Sequence, residues 1–459
     1  MSETKKLADF AAILSFDDIP KDVVERIKFL VMDTVGISIR AMQDAESTPA
    51  LLSASQAMGY LGGQSRVMGS SATYTPPAAA MINGTLAHSL DFDDTHAAGS
   101  LHTSAPIIPA AFAAAEMTGA SGRDVITAIA AGFEVQIRLS LALNPTDHYK
   151  RGYHPSATCG TFGAAAAAGS IFKLDSGNME SAFGIAECHT SGSMRFLADG
   201  AWTKRFQVGY AGHNGLIAAC LAREGFKGPV GSIEGKDGFL QSYAPNPDLG
   251  KAAENLGKVW ETMNIAVKPY PSCRYSHAAI DGIIDLKKEL DFSIDDLDDI
   301  DIGLSETALN IIGYPLEDKQ NPKSIVDGQF SMPFCAAVAA KSGGLKWDDY
   351  KDHLNNNDTL ALCNKIKVTP DKDAEKCCPE YMSAKVKMVV KGKSYEKFVK
   401  IPKGEPENFM KDDEFISKFR GLTKPYLSND RVEQLTDLML KIDQANNVNS
   451  IFEYSQVDL

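Results

Sequence analysis

The 459-residue sequence lacks the features of several large protein classes. Its eight cysteines include no Cys-x-x-Cys pair, so neither a disulfide framework nor a zinc ribbon is expected. No uninterrupted apolar run approaches the roughly 20 residues of a membrane span, and the opening MSETKKLADF has no apolar stretch behind its lysines. A net charge of −13 without a basic stripe argues against nucleic acid and anionic membranes as partners. We therefore predict a cytoplasmic globular protein.

The common cofactor motifs are also missing. No GxGxxG follows a predicted strand, and neither GxSxG nor HExxH occurs, so nicotinamide, flavin and hydrolase chemistry lack their usual signs. The one Gly-Lys-Ser, at 392–394, has Lys387 where a phosphate-binding loop needs its first glycine. We predict no cofactor and no metal.

Most of the chain has helical patterning. From residue 7 to about 223, amphipathic and Ala-rich segments alternate with Gly, Pro, Ser and Asp, which predicts helices over 21–42 and 124–143 among others. The run of alanines over 164–168 carries little side-chain bulk and suits close packing inside a helical bundle. We expect an all-helical first domain over residues 1–268.

The pattern changes after about residue 270. A helix over 278–290 precedes a short strand at 299–302, and residues 384–390 alternate with period two before a Lys-Gly turn and a second strand over 395–401. These features predict a smaller α+β domain over 269–403. Helical spacing resumes in 404–459, which we expect to pack back on the first domain. The predicted fold is mainly α, with a helical domain built from both chain ends.

The densest group of chemical side chains is the run Asp91-Phe92-Asp93-Asp94-Thr95-His96, followed by His102. Carboxylates so near an imidazole can fix its tautomer and favour its protonated form. Two other interpretations stay open: Asp and Thr side chains that cap helices, and a metal site on the three aspartates. The metal interpretation is weakened because Ala97 occupies the last position of a DDxxD motif.

A second candidate is His154, in Arg151-Gly-Tyr-His-Pro-Ser156 before an Ala-rich helix. An imidazole beside a helix start lies near the positive end of the helix dipole, where an anion is favoured. The segment is not a phosphate loop, because no Gly-Lys-Ser/Thr follows.

Two basic clusters complete the candidate site. Both lie on Gly- or Pro-containing segments beside aromatic residues, which suits a clamp for carboxylates: Lys204 and Arg205 in the first, and Lys268, Arg274 and His277 with Cys273 in the second. The alternative interpretation is solvated surface charge.

Four segments, in order along nearly the whole chain, resemble the MmgE/PrpD superfamily: LAHSLDFDDTH with His102, GYHPSATCGTFGAAAAAG, WTKRF with GHNG, and KPYPSCRYSHAAIDG. The resemblance implies a helical domain, a smaller α+β lid domain, a homodimer, and a cofactor-free site between the domains. It also implies proton transfer next to a carboxylate of a small polycarboxylate, because members dehydrate 2-methylcitrate, decarboxylate cis-aconitate or epimerise iminodisuccinate.

Six positions match the family's functional residues: Asp91 and Thr95 at the mouth of the site, His102 and His154 as active-site imidazoles, and Lys204 and Lys268 as anion-binding lysines. Fixed ammonium groups stabilise the negative charge that builds on a carboxylate when a neighbouring proton leaves. A histidine can give or take that proton, a contribution of roughly a hundredfold to ten-thousandfold.

Two positions depart from the decarboxylase branch of the family. That branch carries histidine at Cys273 and tyrosine at Phe334, whereas Pro-Ser-Cys-x-x-x-His, ending at His277, resembles the epimerase branch. Phe334 differs from the epimerase branch as well. Cys273 is interpreted as an acid or base, or as a pocket wall. We predict a cofactor-free lyase of dehydratase or decarboxylase type, with an epimerase of an iminodisuccinate-like dicarboxylate as the alternative. A metal-dependent helical enzyme and a non-catalytic binding member of the family are further alternatives.

Overall fold

The computed structural model describes residues 1–198 and 200–457. The protein is 60% helical, which confirms the predicted mainly α fold with a small α+β part. The chain divides into two compact units, one of Met1–Ala266 with Asp412–Leu459 and the other of Val267–Lys411. These boundaries lie two residues before the predicted 268 and eight after the predicted 403.

The first unit is built mainly from helices. In chain order they are α1 (Glu3–Ile13), α2 (Lys21–Asp44), α3 (Thr48–Ala57), α4 (Pro76–Ala87), α5 (Ser104–Thr118), α6 (Gly122–Leu143), α7 (Pro145–Lys150), α8 (Pro155–Ile171), α9 (Ser176–Glu187), α10 (Thr203–Arg223) and α11 (Phe239–Tyr243), and after the second unit α20 (Asp412–Thr423), α21 (Asn429–Leu440) and α22 (Asn449–Ser455). The helix predicted from residue 21 begins there and runs two residues past the predicted 42.

Two small antiparallel sheets, which the sequence did not predict, form from segments between these helices. β1 (Leu61–Arg66) pairs with β2 (Thr73–Tyr74), and β3 (Thr95–His96) pairs with β4 (Ile265–Ala266). β3 and β4 lie far apart in the sequence and have only two residues each, so neither shows the alternation that reveals a longer strand.

Helix α6 shows why the bundle forms. A capping box begins it, because Ser121 Oγ accepts a hydrogen bond from the Asp124 amide and the Asp124 carboxylate accepts one from the Ser121 amide. α6 is long and apolar enough to cross a membrane, but 94% of its most apolar window is buried inside the protein. It is therefore a core helix of the unit.

Glycines allow the central helices to come close together. A Cβ added at Gly163 of α8 would lie 2.8 Å from the backbone oxygen of Gly132 in α6, and one added at Gly209 of α10 would lie 2.3 Å from the backbone oxygen of Met81 in α4. Side chains at these positions would push the helices apart. The approach of α10 to α4 matters for the site, because α10 carries Lys204 and α4 leads into the Asp91 segment.

The second unit combines helices with one four-stranded sheet. Its helices are α12 (His277–Leu290), α13 (Glu306–Ala308), α14 (Leu316–Gln320), α15 (Ile325–Gln329), α16 (Met332–Ser342), α17 (Asp349–His353), α18 (Asn357–Cys363) and α19 (Lys372–Cys377). The sheet has the order β6-β5-β7-β8, with β5 (Leu297–Leu304), β6 (Ile366–Pro370), β7 (Ala384–Val390) and β8 (Lys393–Val399). β5 is parallel to β6 and antiparallel to β7.

The predicted hairpin of β7 and β8 is confirmed. Met388 pairs with Tyr395, and Val390 pairs with Lys393 across a two-residue turn. Both turn residues, Lys391 and Gly392, have positive φ, as the tight turns of right-twisted hairpins require. The Gly-Lys-Ser run is thus part of a hairpin and not a phosphate-binding loop.

Candidate active site in the helical unit

The loop between α4 and α5 holds most of the predicted acidic residues, but their side chains serve different partners. Asp91, with a left-handed φ of 51°, places Oδ1 2.5 Å from Nζ of Lys204. Asp94 instead accepts hydrogen bonds from the amides of Thr103 and Ser104 at the start of α5, each at 3.1 Å. The capping interpretation is therefore right for Asp94, and the three aspartates do not act as one ligand set.

Asp93 is the centre of an imidazole and carboxylate cluster. Its Oδ2 lies 2.8 Å from Nδ1 of His88 and 3.1 Å from Nδ1 of His102. Asp93 and His88 are fully enclosed, whereas 13% of the His102 side chain is exposed. Nδ1 of His88 is hydrogen-bonded to the carboxylate, whereas Nδ1 of His102 lies at ion-pair distance and, among the described residues, makes no hydrogen bond. A carboxylate that accepts from Nδ1–H leaves the Nε2 lone pair of the ring for other chemistry. Within residues 1–198 and 200–457, Nε2 of His88 has no hydrogen-bonding partner.

His154 stands next to this cluster. Its ring centroid is 6.2 Å from that of His88, which in turn is 4.3 Å from that of His102. His154 immediately precedes α8, and its Nδ1 lies 2.8 Å from the side-chain amide nitrogen of Gln207 on α10. The structure thus brings the two predicted active-site histidines together and adds His88, Asp93 and Gln207, to which the sequence prediction assigned no catalytic role.

Burial controls the protonation of the cluster. It lowers the pKa of His88 to about 4, although the charge of Asp93 opposes the shift. It also holds the pKa of His154 well below the usual range, together with the neighbouring His88 and Lys204. Burial alone would raise the pKa of Asp93, but the two imidazoles at its Oδ2 outweigh burial and hold it well below the usual range. The cluster therefore consists of an anionic carboxylate with neutral His88 and neutral His154 at pH 7.

The backbone around His102 is fixed by polar side chains. Its amide donates to Ser156 Oγ at 3.0 Å, and its carbonyl accepts from the side-chain amide of Gln136 at 3.1 Å. The same Gln136 nitrogen donates to the carbonyl of Ser156 at 3.3 Å. The segment that carries His102 and the start of α8 are thus connected through one buried glutamine.

The C-terminal helix α20 supports the Asp91 loop. Nζ of Lys418 lies 2.6 Å from Oδ1 of Asp33 in α2, donates to the carbonyl of Phe92 at 3.1 Å, and lies 3.7 Å from the centre of the Phe92 ring. Both charged side chains are about 95% enclosed, with exposures of 5% and 4%. The returning chain end therefore contributes to the frame of the site.

Arg205 and Thr95 are the remaining candidates of the first unit. Arg205 is half-buried on α10, where burial lowers its pKa against the opposing charges of Asp91 and Glu46. Thr95 is half-buried in β3, opposite Ala266.

The other candidates belong to the second unit. Lys268 is 3% exposed, and Arg274 pairs with Glu405. His277 begins α12 with Nε2 3.3 Å from the carbonyl of Ser272, and the amide of the half-buried Cys273 donates to the carbonyl of Gln329 at 2.9 Å. Their catalytic or binding roles stay predictions.

One group of three metal-type ligands occurs among the described residues. It consists of His88, Asp93 and His102, whose ligand atoms all lie within 4.8 Å of one another. The 2.8 Å separation at His88 also fits a hydrogen bond between imidazole and carboxylate, and the 3.1 Å separation at His102 fits an ion pair without a hydrogen bond. The same three side chains therefore suit either a divalent cation or a proton-transfer unit, and a chelator distinguishes the two.

The fold and this cluster define a mainly α protein whose helical unit groups histidine, aspartate and lysine side chains. The family description "MmgE/PrpD N-terminal domain" matches residues 5–252, and "MmgE/PrpD C-terminal domain" matches residues 270–444. The chain belongs to the MmgE/PrpD family, as the sequence motifs predicted.

Curated relatives align with nearly the whole chain. The cis-aconitate decarboxylase-like protein oryM of Aspergillus oryzae is 28% identical, covering 98% of this chain and 96% of its own. The cis-aconitate decarboxylase of Aspergillus terreus is 27% identical, with 98% and 95% covered. The cis-aconitate decarboxylase of Homo sapiens is 26% identical, with 93% and 88% covered.

Proposed function

We propose that this protein is a cofactor-independent lyase that moves a proton at a carbon next to a carboxylate of a small di- or tricarboxylate. The observation that carries the proposal is the Asp93 carboxylate shared by His88 and His102, in the same unit as the Asp91 and Lys204 pair. Family membership and the relatives named as cis-aconitate decarboxylases support lyase chemistry.

His102 is the proposed acid-base group. We assign the proton of the neutral ring to Nδ1, which lies 3.1 Å from the Asp93 carboxylate. The Nε2 lone pair is then left for a proton, and the carboxylate stabilises the imidazolium that forms. His102 is also the most exposed imidazole of the three, since His88 and His154 are each 1% exposed while 13% of its side chain is accessible. A substrate carbon therefore reaches it more readily than it reaches His88.

Lys204 is the proposed anion-binding group of the helical unit. Its ammonium already pairs with Asp91, and its side chain keeps an exposed fraction of 27%. A substrate carboxylate that joins this pair receives a charge-assisted hydrogen bond, which strengthens as negative charge grows during proton transfer. Lys268 is proposed as the second such lysine on the family resemblance.

cis-Aconitate is the first substrate to test, because the relatives bear that activity in their names. Cys273, where the decarboxylase branch has histidine, favours the epimerase alternative. The second departure, Phe334, is fully buried and stacks on Tyr350 with ring centres 5.8 Å apart, so it is a core residue of the second unit. We therefore give Cys273 more weight than Phe334.

The test is a panel of cis-aconitate, 2-methylcitrate, citrate, malate, tartrate and iminodisuccinate, followed by proton NMR in deuterium oxide. Parallel samples contain a chelator or the His102→Ala variant. Loss of carbon dioxide or formation of an alkene that survives the chelator and disappears with His102→Ala supports the proposal. Solvent deuterium at a carboxylate-bearing carbon without a new alkene supports the epimerase, and activity that the chelator abolishes supports a metal at His88, Asp93 and His102.

A homodimer and a cytoplasmic location are further proposals that rest on the family resemblance and on the composition. Light scattering of the purified protein during size-exclusion chromatography measures the first. A mass near twice 49.4 kDa is expected, and a mass near 49.4 kDa contradicts the dimer.

A further inference from the structure

Gln207 is held in one orientation by the backbone. The amide of Ser193 donates to Oε1 of Gln207 at 2.9 Å. A backbone N–H can only donate, so the carbonyl side of the Gln207 amide must face Ser193. The other side, the NH₂ group, then faces His154, and its nitrogen lies 2.8 Å from Nδ1 of the ring.

This orientation decides the tautomer of His154. An NH₂ group can only donate, so Nδ1 of His154 must be the acceptor and carries no proton. A neutral ring with an unprotonated Nδ1 carries its proton on Nε2. His154 is 1% exposed, and Nδ1 is the ring nitrogen that contacts Gln207.

The surroundings of His154 oppose a second proton. His88, His102 and Lys204 face the ring and disfavour its charged form, whereas Asp93 favours it. Phe196 packs against the ring with centroids 5.7 Å apart and adds no charge. Burial acts in the same direction as the three cationic or potentially cationic neighbours, so the pKa of His154 stays well below the usual range.

We infer that Gln207 is a positioning residue that fixes His154 as a neutral Nε2–H donor. The role of this donor rests on the proposed function. Nε2–H of His154 donates a hydrogen bond to the substrate oxygen on which negative charge develops while His102 moves the proton. A neutral imidazole is a very weak acid, so it contributes a hydrogen bond to that oxygen and keeps its own proton. This separates the roles of two imidazoles that the sequence treats alike.

The tautomer can be measured without any substrate. Protein with ¹⁵N-labelled histidine gives long-range proton-nitrogen spectra in which protonated and unprotonated ring nitrogens differ, and the His154→Asn variant identifies the signals of His154. We expect an unprotonated Nδ1 and a protonated Nε2 in the wild type at neutral pH. A protonated Nδ1 with an unprotonated Nε2, or a ring protonated at both nitrogens, overturns the inference.

The Gln207→Glu variant tests whether Gln207 determines the tautomer of His154. A carboxylate at this position accepts from Nδ1–H, so the Nδ1 signal of His154 should become that of a protonated nitrogen, whereas Gln241→Glu at an exposed position of the same unit should leave it unchanged. Gln207→Leu should lower kcat/KM about ten- to a hundredfold, with a melting curve close to that of the wild type. Unchanged His154 signals in Gln207→Glu contradict the role of Gln207.

The NMR experiment tests the tautomer of His154 and the substrate panel tests the proposed lyase, so either claim can be contradicted without the other. The expected tautomer with a silent panel contradicts the proposed lyase and leaves the tautomer assignment standing. An active lyase with the opposite tautomer leaves the proposed function standing and removes the role given to Gln207.

Discussion

The two predicted active-site histidines lie in the same cluster of side chains, but their Nδ1 atoms face different kinds of partner. His102 lies on a loop with an anionic carboxylate, Asp93, at its Nδ1, and His154 precedes a helix with a neutral amide donor, Gln207, at its Nδ1. A carboxylate partner makes an imidazole a better base, whereas an amide donor leaves it a neutral hydrogen-bond donor. The group that faces Nδ1 therefore decides which chemical role each of the two histidines takes.

Removal of the proposed base should have the largest effect. We expect His102→Gln to lower kcat by about a hundredfold to ten-thousandfold, because proton transfer loses its positioned group. Steady-state kinetics on the substrate that the panel identifies measures the change. His189→Gln, at a half-buried histidine of the same unit, serves as the control, and an equal loss in both variants contradicts the assignment.

The buried ion pair of Lys418 and Asp33, which supports the Asp91 loop, can be removed separately. Lys418→Met leaves the Asp33 carboxylate buried without its ion pair, so we expect the free energy of unfolding to fall by about 3–5 kcal/mol. Chemical denaturation measures the loss. Arg420→Met on the same helix breaks an exposed pair with Glu433 and should change stability by about 0–1 kcal/mol. Similar losses in the two variants contradict a special role for Lys418.

Removal of the Lys204 ammonium group should weaken the stabilisation of negative charge on the substrate, while Asp93 and Gln207 stay in place. We expect Lys204→Met to lower kcat/KM by about a hundredfold, and Lys204→Arg to recover part of it, since the positive charge returns. The exposed Lys227→Met is the matched control in the same unit. If Lys204→Met keeps wild-type kinetics, the anion-binding role is wrong.

A smaller effect should appear in the pH dependence of stability. Burial lowers the pKa of His148 to about 4, so the unfolded chain takes up a proton between about pH 6.5 and pH 4 that the folded protein does not. His148 therefore makes the fold less stable as pH falls, by at most about 1.4 kcal/mol per pH unit.

Asp94 and Glu116, whose pKa values burial raises to about 7, act in the opposite direction over this range. The contribution of His148 is isolated by comparison with His148→Gln. The stability deficit of that variant should narrow as pH falls from 6.5 to 4 in denaturation curves. A deficit that stays constant over this range contradicts a neutral His148.

Local patterns explain what the sequence could predict. The start of α2 at Lys21 and the alternation of β7 over Ala384–Val390 are local signals, and both are confirmed. The motif-based family assignment is confirmed for the same reason, since each motif is a short contiguous segment.

The contact that assigns a role to His154 is long-range. The pairs that Asp93 makes with His88 and His102 are local, and the sequence already suggested a carboxylate next to an imidazole in this segment. Gln207 lies one helical turn from Lys204, a spacing of three that puts both on one face of α10 and could have suggested it. Its contact with His154 joins residues 53 positions apart, and sequence spacing does not reveal such a contact.

The pH profile of kcat/KM for Asp93→Asn and Gln207→Glu tests the difference between the two histidines most directly. Asp93→Asn removes the carboxylate beside His102 that stabilises the imidazolium formed during proton transfer, so the maximum rate should fall without a new high-pH limb. Gln207→Glu stabilises a charged His154, which loses its Nε2 proton again as pH rises, so a new high-pH limb should appear. A new high-pH limb in both variants, or in neither, contradicts the division of roles between His102 and His154.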